Sequence, residues 1–249
     1  MAKDAKSAFC EDSRVKFPTL MHLMGMGFKY VSLKGLKTKY VEAPKTEFDP
    51  LTNILTDYFT DAYCTLNPKA EKKDAEDMLV KIQKSLQNDD LGRQFYNEIL
   101  LNTGERIIDL SSPANFYRNN TFQVTTEMTC GSKDSDNYRP DITIFVNGLP
   151  LAFIEVKKEN NHKGIQAETD RMKQRFVNPQ YRRFLNITQI MVFSNDMEYD
   201  NNEVTPTIGA FYATIGKKNT KYNCFREEGQ DSFPTARHIH QVTPEEAPA

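Results

Sequence analysis

The stretch RPDITIFVNGLPLAFIEVKK, Arg139 to Lys158, decides the architecture. Two apolar, β-rich runs flank Asn147-Gly148, a dipeptide favoured in two-residue hairpin turns because both of its positions accept φ > 0 at little cost. Three polar residues interrupt the hairpin at the end away from the turn. Asp141 opens the first run, and Glu155 and Lys157 close the second. Carboxylates and lysines are seldom buried unless paired or bound to a metal. Two carboxylates and a lysine at one end of a sheet therefore point to a divalent-cation site of the kind that hydrolyses phosphodiesters.

Parity sets a condition on this reading. Residues two apart in a strand share a face, so Glu155 and Lys157 point the same way. For Asp141 to stand opposite Glu155 on that face, paired residue numbers must sum to 296. A strict two-residue turn at Asn147-Gly148 makes the sum 295 and throws the carboxylates onto opposite faces. The site requires a three-residue loop or a bulge, which Gly148 and Pro150 make easy. The other face would hold Ile142, Ile144, Val146, Ile154 and Val156, so both faces read as covered, as in a central sheet.

A [DE]-x-K triplet alone says little. The chain contains three: Asp4-Ala5-Lys6, Glu71-Lys72-Lys73 and Glu155-Val156-Lys157. The first lies in a polar N-terminal stretch. The second opens an amphipathic helix, where acidic residues favour the helix dipole. Only the third ends an apolar strand and has a Pro-Asp pair, Pro140-Asp141, at the start of its partner. The chemistry explains the residue types. Mg²⁺ takes hard oxygen ligands and keeps several waters, so Asp141 and Glu155 suffice, with the Val156 carbonyl as a third ligand. Lys157 would orient or activate a water and offset charge developing on the phosphoryl group. A structural ion pair of Glu155 with Lys157 or Arg139 is the rival reading of the same residues.

Outward from the hairpin, the Met- and Leu-rich segment 17–31 reads as a helix from near Pro18 to Gly25 or Gly27, its methionines filling a core. Residues 51–63 read as a short amphipathic helix. Asn67-Pro68 reads as the cap and first position of a helix carrying Ala75, Met78, Leu79, Ile82 and Leu86 on one face. Asp90 would cap another, with Leu91, Phe95 and Ile99 on one face. Residues 105–110 and 121–129 read as strands and 130–138 as a polar loop. A helix over 164–177 places Ile165, Thr169, Met172 and Phe176 together, and strands follow at 187–194 and 208–215.

The chain has 249 residues, 39% of them hydrophobic, enough for a packed core. With 32 basic and 34 acidic residues the formal charge is −2, which is no footprint of a strongly basic nucleic-acid binder. DNA contact must come from a local patch, and residues 157–183 supply one. Lys158, Lys163, Arg171 and Arg175 are its candidates, with solvated helix faces as the plain alternative. The four cysteines, Cys10, Cys64, Cys130 and Cys224, form no C-x-x-C pair and read as reduced thiols of a cytoplasmic protein. No apolar run reaches membrane-spanning length.

The segment from about Leu66 to Asp196 resembles the PD-(D/E)xK nuclease superfamily, and more narrowly the N-terminal endonuclease region of type I restriction enzyme R (motor) subunits. The resemblance rests on RPDI, FVNGLPL and IEVK, with NTGERIIDL before them and MVFSND after. It implies an α/β fold with a mixed central β-sheet flanked by helices. It places the metal-binding acids on Asp141 and Glu155 and the catalytic lysine on Lys157, and it makes Glu11 the candidate for an added acid from the first helix. It also implies a Mg²⁺-dependent endodeoxyribonuclease acting on double-stranded DNA. The partners would be methyltransferase and specificity subunits and an ATP-driven motor in cis. One motif departs: aligning Arg175-Phe176 with the usual Arg-Tyr puts Met172 where a glutamine is expected. A phosphate-binding G-x-x-x-x-G-K-[ST] loop is missing, since Lys218 replaces Ser/Thr in Ile215-Gly216-Lys217-Lys218. The expected layout is an endonuclease domain over 1–216, with a helical part over 1–65 and a nuclease core over 66–196, then a polar linker over 217–249 towards a motor. The rival from another class is a docking module that keeps the nuclease fold without catalysis; intact Asp141, Glu155 and Lys157 argue against it.

Overall fold

The computed structural model describes residues 15–37, 42–43, 45–102, 104–130, 138–157, 164–194, 210–214 and 223–225. In chain order these form helix α1 (Phe17–Gly25), the short strands β1 (Lys29–Tyr30), β2 (Leu36–Lys37) and β3 (Glu42–Ala43), and helices α2 (Thr56–Leu66) and α3 (Lys72–Ser85). A π-helical turn at Phe95–Leu100 and helix α4 (Pro113–Asn119) lead to strands β4 (Phe122–Thr126), β5 (Ile142–Val146) and β6 (Leu149–Val156). Helices α5 (Gly164–Val177) and α6 (Arg182–Ile187) precede strands β7 (Ile190–Ser194), β8 (Ala210–Thr214) and β9 (Asn223–Phe225).

Seven strands form one sheet in the order β1-β4-β5-β6-β7-β8-β9, with β2 and β3 paired separately. The pairs β1–β4 and β6–β7 are parallel and the others antiparallel, so the sheet is mixed and the fold α/β. The parallel β6–β7 pair needs a crossover, and α5 and α6 supply it. Strand β9 lies within the polar stretch expected to be a linker and pairs with β8.

The hairpin meets the parity condition by a bulge. Val146 pairs with Leu149 across a strict two-residue turn, in which Asn147 (φ 52°) and Gly148 (φ 76°) are both left-handed. This is the primed turn whose twist matches the flanking strands. Between the pairs Phe145–Pro150 and Ile144–Ala152 the register shifts, and Leu151 is the residue left over. Pro150 has no N–H to give a ladder, so a bulge beside it costs least. Past Leu151, Ile144, Thr143 and Ile142 face Ala152, Phe153 and Ile154, and every pair sums to 296.

Each face of the hairpin has its own cover. Ile142, Ile154 and Val156 pack with Val124 and with Val15 and Leu23 around α1. Phe145, Phe153 and Phe193 pack on the opposite face with Met172, Phe176, Phe184 and Leu185 of α5 and α6. The turn end joins a third cluster, where Val146 and Leu149 meet Phe59, Met78 and Ile82 of α2 and α3. Helices α2 and α3 thus crowd the turn, while at the far end α1 covers one face and α5 approaches Glu155 and Lys157 on the other.

Several expectations change on the structure. Helix α2 starts at Thr56 because Asn53 is left-handed (φ 63°) and the Leu55 N–H is used by the Gly148 carbonyl at 2.9 Å. Asn67 closes α2 rather than opening α3, its side-chain amide donating to the carbonyls of Tyr63 and Arg106. Glu71 precedes α3, and its N–H is held by the Asp74 carboxylate at 2.8 Å. Residues 105–110 form no strand. Their backbone groups are matched by three asparagine side chains: Asn67 binds the Arg106 N–H and carbonyl, Asn120 those of Asp109, and Asn147 the Ile107 carbonyl. The α1 methionines do not fill a core. Only one side of this short helix meets the sheet, through Leu20 and Leu23, and Met21 is 51% exposed.

The turn yields a direct test. A Cβ on Gly148 would lie 2.5 Å from the Leu55 carbonyl oxygen and 2.9 Å from the Phe59 N, and its φ is one that L-residues avoid. Both neighbours are backbone and cannot swing away. Gly148→Ala should cost more than about 2 kcal/mol of unfolding free energy, read by chemical denaturation. A loss within about 0.5 kcal/mol, the usual range for an unremarkable surface site, would mean that α2 does not press on the turn.

Candidate active site at the end of the hairpin

The shifted register carries Asp141 to the end of β6. Its Oδ2 accepts the Val156 N–H at 2.9 Å, and its backbone carbonyl accepts the Glu127 N–H at 3.2 Å. The carboxylate is therefore fixed against the peptide that joins Glu155 to Val156. Lys16, just before α1, places its Nζ 2.9 Å from Glu127 Oε1 and 3.9 Å from Asp141 Oδ1.

Glu155 and Lys157 leave β6 on the α5 side. Glu155 is only 5% exposed, and Lys157 Nζ stands 3.9 Å from its Oε2. Tyr138 donates its hydroxyl to Glu155 Oε1 at 2.7 Å. Burial, then the charges of Asp141 and Glu168, push the Glu155 carboxyl up to about 8, against the hydrogen bond from Tyr138 and the charge of Lys157. Burial, and next the charge of Glu155, also drive the Tyr138 hydroxyl well above its ordinary range, so it remains a donor.

Two members of this group escape a reading of motifs. Tyr138 ends a stretch that reads as polar loop, yet it is buried and forms an isolated bridge with Cys130. No local signal marks it. Glu168 lies on α5 and is 1% exposed. It sits four residues before Met172 and eight before Phe176, on the buried stripe of the helix, and a charge at that spacing is the signal that could have found it. Lys157 Nζ lies 3.4 Å from Glu168 Oε2, Arg171 Nη1 3.0 Å from the same oxygen, and Arg175 Nη1 2.7 Å from Oε1. Burial disfavours charge on Glu168, but Lys157, Arg175 and Arg171 outweigh it and hold the carboxyl below its ordinary range.

Arg175 turns inward, its guanidinium 3.9 Å from the centre of the Tyr138 ring, and its side chain is 21% exposed. Arg171 is 62% exposed and free to meet solvent beyond Glu168. Glu11, Lys158 and Lys163 lie outside the described residues. Met172 is fully buried in the core beneath α5. Among the described residues, no three His, Cys, Asp or Glu side chains gather as a metal-ligand set. The donors at this end are two carboxylates and backbone oxygens, all hard. That set fits a cation such as Mg²⁺, which keeps most of its waters. Burial is the larger cause of the raised Glu155 carboxyl, and the repulsion from Asp141 and Glu168 that adds to it is a field a cation would relieve.

The family model of the type I restriction enzyme R protein N terminus matches residues 9–204. The chain belongs to this family. None of the curated proteins compared matches it significantly. For an R protein N terminus, the mixed sheet with flanking helices is a restriction-endonuclease-like α/β core. Among the described residues no helix is long and apolar enough to cross a membrane.

The raised Glu155 carboxyl makes stability depend on pH in a definite direction. The folded, metal-free chain binds this proton more tightly than the unfolded chain, whose glutamate titrates near 4.5. The stabilisation is complete below about 4.5, declines as pH rises, and is lost by about 8. Glu168 works in the opposite sense and below that window, since its depressed carboxyl loses stability only as pH falls beneath 4.5. Unfolding free energies of wild type and Glu155→Gln, measured from pH 5 to 8.5 in chelator, should differ in slope, the variant being flatter. Parallel slopes would remove the buried, proton-holding Glu155.

Proposed function

We propose that the end of the hairpin is the DNA-cleaving centre of a type I restriction enzyme R subunit, an endodeoxyribonuclease dependent on Mg²⁺. The observation that carries this reading is the bulge at Leu151. A hairpin needs no such irregularity to fold. Its effect is to bring Asp141 to the Glu155–Val156 peptide while Glu155 and Lys157 share a face. In this reading Asp141 and Glu155 hold the ion, with the Val156 carbonyl beside them. The ion, when bound, polarises a phosphoryl oxygen and acidifies a water. Asp141 Oδ2 is already committed to the Val156 N–H, which leaves Oδ1 as its outward oxygen. Lys157 sets a positive charge where the attacked phosphate gathers negative charge, and it orients the water. Tyr138 keeps Glu155 turned toward the site.

The DNA would be delivered by the rest of the enzyme: an ATP-driven motor in the same polypeptide, with methyltransferase and specificity subunits. Arg171, with Lys158 and Lys163, would meet backbone phosphates without reading sequence. The near-neutral net charge of −2 fits a module that borrows its grip on DNA from its partners.

The test belongs in the complete enzyme. Asp141→Ala and Lys157→Ala should each lower DNA cleavage at least about 10²-fold, as loss of a key charge stabiliser does, while ATP-driven translocation continues. In the isolated chain, Mn²⁺ should raise the melting temperature of wild type by mass action and shift Glu155→Gln much less. Cleavage at the wild-type rate by either alanine variant, or equal thermal shifts, would refute the assignment.

A further inference from the structure

Lys157 ends a strand on a four-carbon stem, and a lysine stem is freely rotatable unless something fixes its tip. Two carboxylates are within reach. Glu155 Oε2 is 3.9 Å away and Glu168 Oε2 is 3.4 Å away, so the ammonium leans toward α5. Glu168 cannot move to follow it. Arg175 grips its other oxygen at 2.7 Å, Arg171 shares Oε2 at 3.0 Å, and the side chain is sealed from solvent. Arg175 is itself pinned on the face of Tyr138, whose hydroxyl holds Glu155. The contacts close a ring: Lys157, Glu168, Arg175, Tyr138, Glu155 and back to Lys157.

We propose that Glu168 is the positioning residue of this site, an anchor on α5 that holds the Lys157 ammonium off Glu155 and at a fixed distance from it. The proposal rests on the nuclease reading above and adds to it a residue that touches neither DNA nor ion. Stability alone does not account for a charge at this place. Helix α5 is already fastened by Met172 and Phe176 in the core, and buried ion pairs seldom stabilise more than apolar residues of the same volume. Position does account for it. Without Glu168, the nearest remaining carboxyl group for Lys157 is that of Glu155, and a direct Lys157–Glu155 pair would tie up the oxygen that the site needs. Arg171 gives the anchor an outer handle. It is mostly exposed and shares the Glu168 oxygen with Lys157, so a phosphate that draws on Arg171 also bears on the lysine.

The experiment compares Glu168→Gln, Glu168→Asp and Lys157→Ala. Cleavage is measured in the complete enzyme, and reactivity of the Lys157 amine toward an acylating reagent is measured by mass spectrometry in the metal-free 249-residue chain. Glu168→Gln keeps the shape and removes the charge. It should lose about 10²-fold in cleavage, the cost typical of a misplaced catalytic group, and its Lys157 acylation rate should shift several-fold because the amine has exchanged one carboxylate partner for another. Glu168→Asp keeps the charge on a shorter stem and should recover part of both. Should Glu168→Gln fail to melt cooperatively, the charge-neutral double variant Glu168→Gln/Arg175→Gln carries the test with the same expected results. If Lys157→Ala is inactive while Glu168→Gln cleaves normally with unchanged acylation, the anchor is wrong and the nuclease reading stands. If Lys157→Ala cleaves like wild type, the nuclease reading falls and the anchor with it.

Discussion

One unpaired residue, Leu151, sets which side of the sheet every later side chain of β6 faces. Strand side chains alternate, so a shift of one register position moves a whole strand's polar set from one face to the other. The tight turn at Asn147-Gly148 and the bulge three residues on are therefore a matched pair. The turn fixes the hairpin against α2, and the bulge corrects the parity that the turn imposes. The bulged residue is not left loose, since its carbonyl accepts the Gln189 N–H at 2.7 Å and so ties the correction to the approach to β7. The Asp141–Val156 contact, the shared face of Glu155 and Lys157, and the reach of α5 over both all follow from that shift.

Two glutamates a few ångströms from one lysine end in opposite electrostatic states. Both are buried, yet three cations surround Glu168 and it stays ionised. Glu155 is raised by burial first, has Lys157 at a longer distance and faces two other carboxylates, and its proton is held up to about 8. The difference lies in the count and placement of partners, since burial alone would push both the same way. Pairs of like groups driven apart in this manner mark places where a protein divides roles between them.

What the sequence discloses here is what depends on near neighbours. Asn147-Gly148 announces its turn, the i, i+2 spacing of Glu155 and Lys157 announces a shared face, and the arithmetic from Asp141 demands a bulge without saying where it falls. The extent of α5 is legible because its apolar period is regular. Contacts between distant segments are not legible. Residues 105–110 have the composition of a strand, but Asn67, Asn120 and Asn147 take their backbone groups, and no local pattern foretells that three amides will converge there. Tyr138 reaches Glu155 from a stretch with no periodicity. The apolar α1 looks like core until the sheet covers only one of its sides. The roles proposed for Asp141, Glu155 and Lys157 come from motif and resemblance; the surroundings that would tune them come from the fold.

Asn147 carries a further consequence. Asparagine before glycine is the pair most prone to lose its amide by attack of the following peptide nitrogen, a reaction that needs the side chain free to fold back. Here that side chain is fully buried. Its Nδ2 donates to the Ile107 carbonyl and to Asn120 Oδ1, and its Oδ1 accepts the Thr121 N–H. A carboxylate in its place would set an acceptor against two acceptors at the pivot of the hairpin. Chemical ageing at this position is thus gated by opening of the fold, and the carboxylate that results would meet the Ile107 carbonyl and Asn120 Oδ1 without a proton to give them. The mass change at Asn147 over time is a clock that counts openings of the domain.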